Sequence, residues 1–455
     1  METTIKKSMK NNSPPDGILG KRVSISEVKP ENDGKEVVLG GYVDTIRNVS
    51  KSLRFLVIKD WTGDAQITIK AAEGDPMMET VGMLTPQSVV VVKGKVKKTP
   101  QTNRGVEVVA SELYISTVSE VPLPVDVTDE TESALNKKQD WRFLDLRSHR
   151  NQLIFLMSSD FEKFTRDFFA QEGLMEIHTP KLLGAASESG AELFTLEYFG
   201  GKAYLAQSPQ FYKQMAIISG FEKVFEIGPV FRANPSFTYR HDTEFTSLDV
   251  ELGFINSYKD VMEFEKRWLT YTFGKMAEKW GEAAKKEFGV EITAPVFAEI
   301  TMKEAQDIVE KLGMPPDRTS DLSSDQEKAL GKCIKEQRGA DFVFVTMFPS
   351  KVRPFYHMRP ADDQSMTYSF DLLYNGLEIT TGAQREHRYE TLKKQAEEKG
   401  LSLKSIQFYL DFFRYGAPPH GGFGFGPTRT IMSMLRLDNV RKATFLHRDP
   451  SRLFP

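Results

Sequence analysis

Two β-forming runs on either side of a polar loop constrain the fold of this chain more than any other segment. The first run, 223–231, is largely apolar, and the second, 244–251, alternates apolar with polar residues as a half-buried strand does. The loop between them contains Asn234-Pro235, a pair that favours a turn. The pattern predicts one strand, a long polar connection and a second strand that returns beside the first.

Cationic side chains gather at the ends of this loop. Arg232, Arg240 and His241 flank it, and Asp249 and Glu251 follow on the returning strand. This arrangement suits a phosphorylated, zwitterionic ligand, because guanidinium groups pair well with phosphate. The alternative is a solvated hairpin with surface charges, and the hairpin alone does not separate the two.

Three sequence blocks taken together carry more information. Phe231-Arg232, then a loop, then Arg240-His241-x-x-Glu244-Phe245 resembles motif 2 of the class II aminoacyl-tRNA synthetases, in the aspartyl/asparaginyl branch. The block that ends in His178-Thr179-Pro180 resembles motif 1, and the glycine-rich block from Gly422 to Arg429 resembles motif 3. The resemblance extends from about Lys21 to Pro455, and its nearest form is the archaeal/eukaryotic type of aspartyl enzyme.

The resemblance implies an ATP-dependent ligase that joins L-aspartate to the 3′ end of tRNA(Asp). The α-carboxylate of aspartate would attack the α-phosphorus of ATP, giving aspartyl-adenylate and pyrophosphate, and the terminal hydroxyl of the tRNA would attack next. Such a step needs positioning and charge neutralisation, and no protein nucleophile. Mg²⁺ is expected with ATP, since it bridges phosphate oxygens.

The family motifs assign expected roles by position in this sequence. The catalytic residues would be Arg232, Arg429 and His241. The ATP site would comprise Arg232, Arg240, His241, Glu378 and Arg429. The aspartate site would comprise Ser187, Glu188, Gln210, Lys213, Asp249, Thr381 and Arg385. The ligands of Mg²⁺ would be Glu378 and Thr381, with Asp371 as a second nearby carboxylate.

Two charges within this set predict the amino acid. Lys213 and Arg385 would face the side chain of the substrate, and bidentate pairing by Arg385 would favour a carboxylate over an amide.

Two positions depart from the family pattern. Thr428 stands where an acidic residue usually precedes the motif 3 arginine, and Asn234 stands where motif 2 usually has glutamate.

Composition limits the class of protein without selecting a ligand. The 455 residues include 60 Lys and Arg against 63 Asp and Glu, so the net charge neither favours nor excludes nucleic acid. A single cysteine, Cys333, excludes an internal disulfide and suits a reducing compartment. No apolar run reaches 18 residues, so a soluble, cytoplasmic protein without membrane contact is expected.

Short strands at regular spacing between Lys21 and Ser119 predict a five-stranded barrel of the OB-fold type. In the family this domain binds the anticodon, and the corresponding residues here are Phe55, Gln66 and Glu107. Asp44 and Gln101 stand where enzymes strict for the aspartate anticodon resemble one another in a Trp and a Lys. Charging of tRNA(Asn) in addition to tRNA(Asp) is therefore an open alternative.

The whole chain is predicted to be an α+β protein. The expected order is a disordered extension (1–20), the OB-fold domain (21–119), a proline-containing hinge (120–145) and a class II catalytic domain (146–455). The last would be an antiparallel sheet flanked by helices, with a helical insertion around 300–340 to which no chemistry is assigned. The motif 1 segment, Leu153–Pro180, implies a homodimer in the family.

Two rival functions stay open at this point. An asparaginyl-tRNA synthetase would share the fold and the ATP site. A tRNA-independent amide ligase of the asparagine synthetase A type would share the catalytic domain, but the predicted barrel argues against it.

Overall fold

The computed structural model describes residues 12–129, 131, 133–185, 192–235 and 238–455. The chain divides into two compact units at Gln152 and Leu153. Most of the predicted extension over residues 1–20 lies outside the described residues. Its described end includes a short 3₁₀ helix, Ile18–Lys21.

The first unit is built on a closed five-stranded barrel with the strand order β1-β2-β3-β5-β4. Its strands are β1 (Glu36–Ser50), β2 (Leu53–Asp60), β3 (Gly63–Lys70), β4 (Val89–Lys98) and β5 (Val106–Thr117). Only the β3–β5 contact among these neighbours is parallel. Valine and isoleucine side chains from all five strands fill the interior, which explains the β-branched runs in the sequence.

Short helices accompany the barrel. They are α1 (Pro76–Gly82), α2 (Leu135–Asp140) and α3 (Arg142–Asp145). The first of them begins at proline, and the side chain of Asp75 accepts a hydrogen bond from the backbone N–H of Met77.

The second unit contains an eight-stranded sheet with the order β12-β13-β14-β15-β16-β11-β10-β6. Its strands are β6 (Met175–Glu176), β10 (Lys223–Phe231), β11 (Glu244–Gly253), β12 (Phe297–Thr301), β13 (Phe342–Thr346), β14 (Ser369–Tyr374), β15 (Leu377–Gln384) and β16 (His420–Phe425). A separate small sheet pairs β7 (Leu182–Leu183), β8 (Thr195–Tyr198) and β9 (Gly201–Leu205).

Helices cover this sheet. They are α4 (His149–Gln171), α5 (Gln210–Ile218), α6 (Tyr258–Phe288), α7 (Met302–Lys311), α8 (Ser324–Arg338), α9 (Tyr389–Glu398), α10 (Leu403–Phe412), α11 (Pro427–Met434) and α12 (Val440–Ala443). Ser257 caps the start of α6 and Gly289, with φ of 67°, follows its end. Trp268 of α6 and Phe161 of α4 pack in the core against Phe425 of the sheet.

The predicted antiparallel sheet is present, except that its outermost strand pairs are parallel. The strands from β13 to β10 pair antiparallel, whereas the outermost pairs, β12–β13 and β10–β6, are parallel. Asn375 and Gly376 form the two-residue turn between β14 and β15, and both have positive φ.

The middle of β11 is buried on both of its faces. Its residues from Leu248 to Leu252 are all buried, including Asp249 and Glu251. Alternation along the strand separates its two faces but does not make the polar face solvated, because basic side chains pair with the acidic residues inside the protein.

Among the residues that the structure describes, no helix combines the length and the apolar composition that a membrane crossing requires.

Candidate active site and nucleic-acid interface

The adjacent order of β15, β16, β11 and β10 brings distant parts of the sequence to one cavity of about 320 Å³. Many of the residues predicted for the site line it: Gln210, Arg232, Arg240, His241, Asp249, Glu378, Thr381, Arg385 and Arg429. Ser187 and Glu188 lie outside the described residues. Asn234 and Thr428, the two departures from the family pattern, also line the cavity.

Arginine side chains from three segments make one region of the cavity cationic. Arg232 follows directly after β10, and its guanidinium carbon lies 5.4 Å from the centre of the Phe245 ring. Arg429, in the first turn of α11, donates from Nη1 to the carbonyl oxygen of Glu378 and from Nε to that of Arg240. These bonds hold Arg429 in place before any anion enters, and donors fixed in this way stabilise charge on a phosphate.

His241 differs in charge from what its place in the sequence suggests. Burial, together with the nearby charges of Arg429 and Arg240, lowers the pKa of His241 to about 4. Its Nδ1 is within hydrogen-bonding distance of the hydroxyl of Thr238. The imidazole is therefore neutral at physiological pH, so the site contains three cationic arginines and a neutral ring.

Oxygen-bearing side chains of β14 and β15 lie beside these arginines. The hydroxyl of Thr381 donates to Oε1 of Glu378 at 3.1 Å, and Asp371 is the register partner of Thr381. Burial raises the pKa of Asp371, and the Glu378 carboxylate adds to that effect against the opposing charge of Arg353. Burial likewise opposes ionisation of Glu378, but Arg429 and Arg353 outweigh it and lower its pKa.

This oxygen set fits Mg²⁺. No group of three or more His, Cys, Asp or Glu is arranged for a metal within the described ranges. However, Mg²⁺ in nucleotide sites is usually held by one or two carboxylates, phosphate oxygens and water. One oxygen of Asp371, Oδ1, is buried and has no hydrogen-bond partner in the structure. Glu378 and Thr381, which line the cavity, can therefore supply the protein share of such a site, and Asp371 lies beside them in the adjoining cavity.

A buried cluster of four charges adjoins the cavity. Lys213 is 1% exposed, and its Nζ donates to Oδ1 of Asp249 at 2.9 Å and to the carbonyl oxygen of Phe423 at 3.0 Å. Arg385 donates from Nε and Nη2 to the two carboxylate oxygens of Glu251, at 2.9 and 3.2 Å. Two basic and two acidic groups balance, so the cluster is neutral overall.

Two contacts within this cluster bear on the predicted aspartate site. Lys213 lies below the cavity and does not line it, because its ammonium reaches inward to Asp249 and the backbone of the sheet. The bidentate edge of Arg385 is occupied by Glu251, and its remaining contacts are Gly422 O and Nε2 of His357. Four of its five N–H groups are thereby used, which leaves one for a ligand in the cavity.

Burial alone would raise the pKa of Glu251, but the charges of Arg385 and Lys213 outweigh it and hold that pKa below its usual value. His357 has a pKa well below its ordinary value because it is buried and next to Arg385. A neutral His357 accepts a hydrogen bond from Arg385, so the guanidinium keeps a single orientation.

The glycines of motif 3 have two different uses. A Cβ at Gly422 would overlap the carbonyl oxygen of Val250 and Oε2 of Glu251, so this glycine makes room for the neighbouring strand and its acid. Gly424 and Gly426 line the cavity instead. Among the motif 3 glycines that the structure describes, only these two allow the backbone to approach a ligand in the cavity.

The structure also brings together the three residues predicted to read the anticodon. Phe55, Gln66 and Glu107 lie on the neighbouring strands β2, β3 and β5. Gln66 donates to Glu107 at 3.1 Å, and Arg47 donates to Gln66 at 2.8 Å while its guanidinium carbon lies 5.6 Å from the Phe55 ring centre. An aromatic ring and hydrogen-bonding side chains thus lie together, a combination found in single-strand binding barrels.

Several residues at these sites were not expected from the sequence. Arg353 donates to Asp371 at 2.6 Å, Glu327 accepts from Arg240, and Arg47 joins the anticodon surface. None of them stands in a recognisable motif, and an isolated basic or acidic residue in a loop, helix or strand gives no local signal. Their positions at these sites are decided by the tertiary structure.

Comparisons with known proteins agree with this geometry. A family model described as "tRNA synthetases class II (D, K and N)" matches residues 134–449. The chain belongs to this family. A second model, for the OB-fold nucleic acid binding domain, matches residues 37–116. The family resemblance drawn from the three motifs and the predicted OB-fold barrel are both confirmed, and the chain is an aminoacyl-tRNA synthetase of class II.

Individual proteins are similar to this chain over nearly its full length. An aspartate–tRNA(Asp/Asn) ligase from Aeropyrum pernix is 43% identical over 427 residues, which are 93% of this chain and 96% of that protein. An aspartate–tRNA(Asp) ligase from Pyrococcus abyssi is 40% identical over 433 residues, 94% of this chain and 98% of that protein. The crystal structure of an asparaginyl-tRNA synthetase from Pyrococcus horikoshii with asparaginyl-adenylate superposes with a TM-score of 0.89 at 33% identity, covering 95% and 99% of the two chains.

Proposed function

We propose that this protein is an aspartate–tRNA ligase, which activates L-aspartate with ATP and transfers it to tRNA(Asp). The observation that carries the proposal is a cavity lined by Arg385, with Lys213 buried beneath it, and by the three arginines Arg232, Arg240 and Arg429. Similarity over nearly the full length to two ligases named for aspartate supports it.

The adenylate forms by attack of an α-carboxylate oxygen of aspartate on the α-phosphorus of ATP. A new P–O bond forms, the bond to the bridging oxygen breaks, and pyrophosphate leaves with that electron pair. Arg232 is assigned to the α-phosphate and Arg429 to the γ-phosphate, with Arg240 and the neutral imidazole of His241 beside them. Fixed donors favour this step because they need no reorganisation as charge develops.

Mg²⁺ held by Glu378 and Thr381, with Asp371 adjoining, would neutralise phosphate charge when bound. The protein residues contribute independently of that ion. Thr381 donates to Glu378 and thereby orients the carboxylate toward the cavity. Arg353 pairs with Asp371 and keeps this second acid in place.

Aspartate would be recognised at both of its ends. The substrate ammonium is assigned to Asp249, which lines the cavity and accepts from Ser247 at 2.6 Å, with Gln210 beside it. The side-chain carboxylate is assigned to the remaining N–H of Arg385 and to the positive charge of Lys213 below. An amide in place of that carboxylate would leave buried polar groups poorly paired. Ser187 and Glu188 stay predicted contacts of the substrate.

The decisive experiment compares aspartate with asparagine in ATP–pyrophosphate exchange. We expect aspartate to be preferred by about 10⁴-fold in kcat/KM, the range reached when a site built for a polar group meets the wrong one. Asparagine activation equal to or better than that of aspartate would instead establish the asparaginyl alternative. Lys213→Met, which keeps much of the side-chain volume and removes the charge, should lower the preference.

The anticodon surface of Phe55, Gln66 and Glu107 is assigned to the anticodon of tRNA(Asp). Asp44 pairs with Lys59 at 2.7 Å, so the position expected to carry a discriminating Trp is taken by an ion pair. Relaxed recognition of the last anticodon base follows, and tRNA(Asn) becomes a second substrate. A discriminating contact to one base is worth about 1–3 kcal/mol, or about 5–160-fold. Without it, transcripts that differ only in C or U at that base should be aspartylated within about tenfold of each other. A hundredfold preference for C would contradict relaxed recognition.

A homodimer through the motif 1 segment and a cytoplasmic location complete the proposal. The apolar stripe of α4, including Met157 and Phe161, packs into the core of its own chain, so it does not by itself provide a dimer surface. The family resemblance is the support for dimerisation. Sedimentation equilibrium should give a mass near twice 51.6 kDa, and a mass near 51.6 kDa would contradict it.

A further inference from the structure

Helix α8 of the helical insertion, to which the sequence assigned no chemistry, reaches the phosphate end of the cavity. Glu327, in the first turn of α8, accepts a hydrogen bond from Nη1 of Arg240 at 2.5 Å. Both side chains are largely buried, at 9% and 13% exposed. Arg240 belongs to the motif 2 loop, so this ion pair joins two segments 87 residues apart.

Arg240 stands between two adjoining spaces. It lines the 320 Å³ cavity of the candidate active site, and it also lines a second cavity of about 280 Å³. Glu327 lines the second cavity and is absent from the lining of the first. The carboxylate therefore holds the guanidinium from outside the ligand cavity and does not compete for the ligand's own position.

Backbone contact between α8 and the β14–β15 turn sets the distance between the helix and the sheet. A Cβ on Gly331 would lie 2.5 Å from the backbone nitrogen of Gly376, and one on Gly376 would lie 2.7 Å from Cα of Lys328. Gly376 belongs to the turn between β14 and β15, the hairpin that carries Asp371 and Glu378. The helix thus rests directly on the catalytic sheet, and its first turn has a fixed position relative to the cavity.

The Glu327–Arg240 pair is a poor source of net stability. Burial and the charge of Glu378 raise the pKa of Glu327 to about 7, in spite of the opposing charge of Arg240. A buried ion pair must offset the desolvation of both ions, so replacing it by neutral groups often costs little stability. The property that such a pair does provide is a fixed direction for the planar guanidinium.

We propose that Glu327 is a positioning residue, which orients Arg240 toward the phosphates of ATP and makes the helical insertion part of the ATP site. The inference rests on the proposed role of Arg240 in binding ATP. It adds a residue outside the three family motifs to the machinery of adenylate formation.

A double-mutant cycle in ATP–pyrophosphate exchange tests the inference, with Glu327→Gln, Arg240→Ala and the double variant. Glu327→Gln keeps an acceptor oxygen but removes the negative charge that strengthens the bond from Arg240, so it should raise KM for ATP about tenfold, with a smaller change in kcat. In the Arg240→Ala background the same substitution should add little, because the residue through which it acts is gone. Additive effects on KM would overturn the proposal.

The cycle also separates this inference from the proposed function. If Arg240→Ala leaves KM for ATP unchanged, the assignment of Arg240 to ATP fails and the inference falls with it. If Arg240→Ala raises KM but Glu327→Gln does not, only the positioning role fails. Glu336→Gln is the matched control on the same helix, since Glu336 is exposed and lies 3.9 Å from Lys332.

A second variant perturbs the Glu327–Arg240 contact by moving α8, without changing either charged residue. Gly331→Ala should move α8 away from the β14–β15 turn and raise KM for ATP, whereas thermal unfolding of the variant should still be cooperative. Gly281→Ala in α6 is its control, because a Cβ there meets no atom within 4 Å. An unchanged KM in Gly331→Ala would contradict the proposed coupling between helix position and Arg240.

Discussion

Replacing Glu265 by glutamine should make the protein more stable above neutral pH. Glu265 lies on α6 and is fully buried. The hydroxyl of Thr380 donates to its Oε1 at 2.6 Å, while Oε2 is buried without a hydrogen-bond partner in the structure. Burial raises the pKa of Glu265 to about 8, and the bond from Thr380 offsets only part of that effect.

The sign of the pH dependence follows from the direction of this shift. The folded state holds the proton up to about pH 8, whereas the unfolded state releases it near the ordinary value of 4.5. Stability is therefore fully present below pH 4.5 and is lost as the pH rises toward 8. At about 1.4 kcal/mol for each pKa unit, the loss is about 3 kcal/mol at pH 7 and about 5 kcal/mol at pH 8 or above.

Thermal unfolding at pH values from 4.5 to 8.5 measures this effect. Glutamine has no proton to lose, so Glu265→Gln and the parent protein should melt together near pH 4.5 and diverge as the pH rises. At about 2 °C per kcal/mol, the variant should gain about 6–10 °C by pH 8. Glu263→Gln is the control on the same helix, since Glu263 is 64% exposed and lies 3.8 Å from Lys266. A difference between Glu265→Gln and the parent that stays constant across this range would refute the reasoning.

Other predictions concern the two proposed sites. Arg232→Ala and Arg429→Ala should each lower the rate of ATP–pyrophosphate exchange by about 10²–10³-fold, the cost of one fixed donor at developing charge; near-parental exchange in both would remove the assignment. His241→Asn should leave the shape of the exchange profile between pH 5.5 and 8 unchanged, because a pKa of about 4 keeps His241 neutral there; loss of a step near pH 6.5 would contradict this. Glu107→Gln should slow aminoacylation of tRNA but leave exchange intact, and a loss of both would indicate a folding defect.

The sequence alone determined the elements and the family. Period-two alternation and apolar runs located β10 and β11. These patterns are local, because a strand or an amphipathic helix must turn its apolar side chains to one face. Motif spacing also identified the arginines that line the cavity, since the motifs keep functional residues at fixed offsets from strand ends.

The tertiary structure alone decided how the charges of the site are paired. Nothing in the neighbourhood of Lys213 shows that Asp249 accepts from it, or that Glu251 occupies the bidentate edge of Arg385. The same holds for Glu327, since its position in a helix does not show that it contacts Arg240. An ionic contact depends on the distance between segments far apart in the chain, and that distance is set by strand order and packing rather than by neighbouring residues.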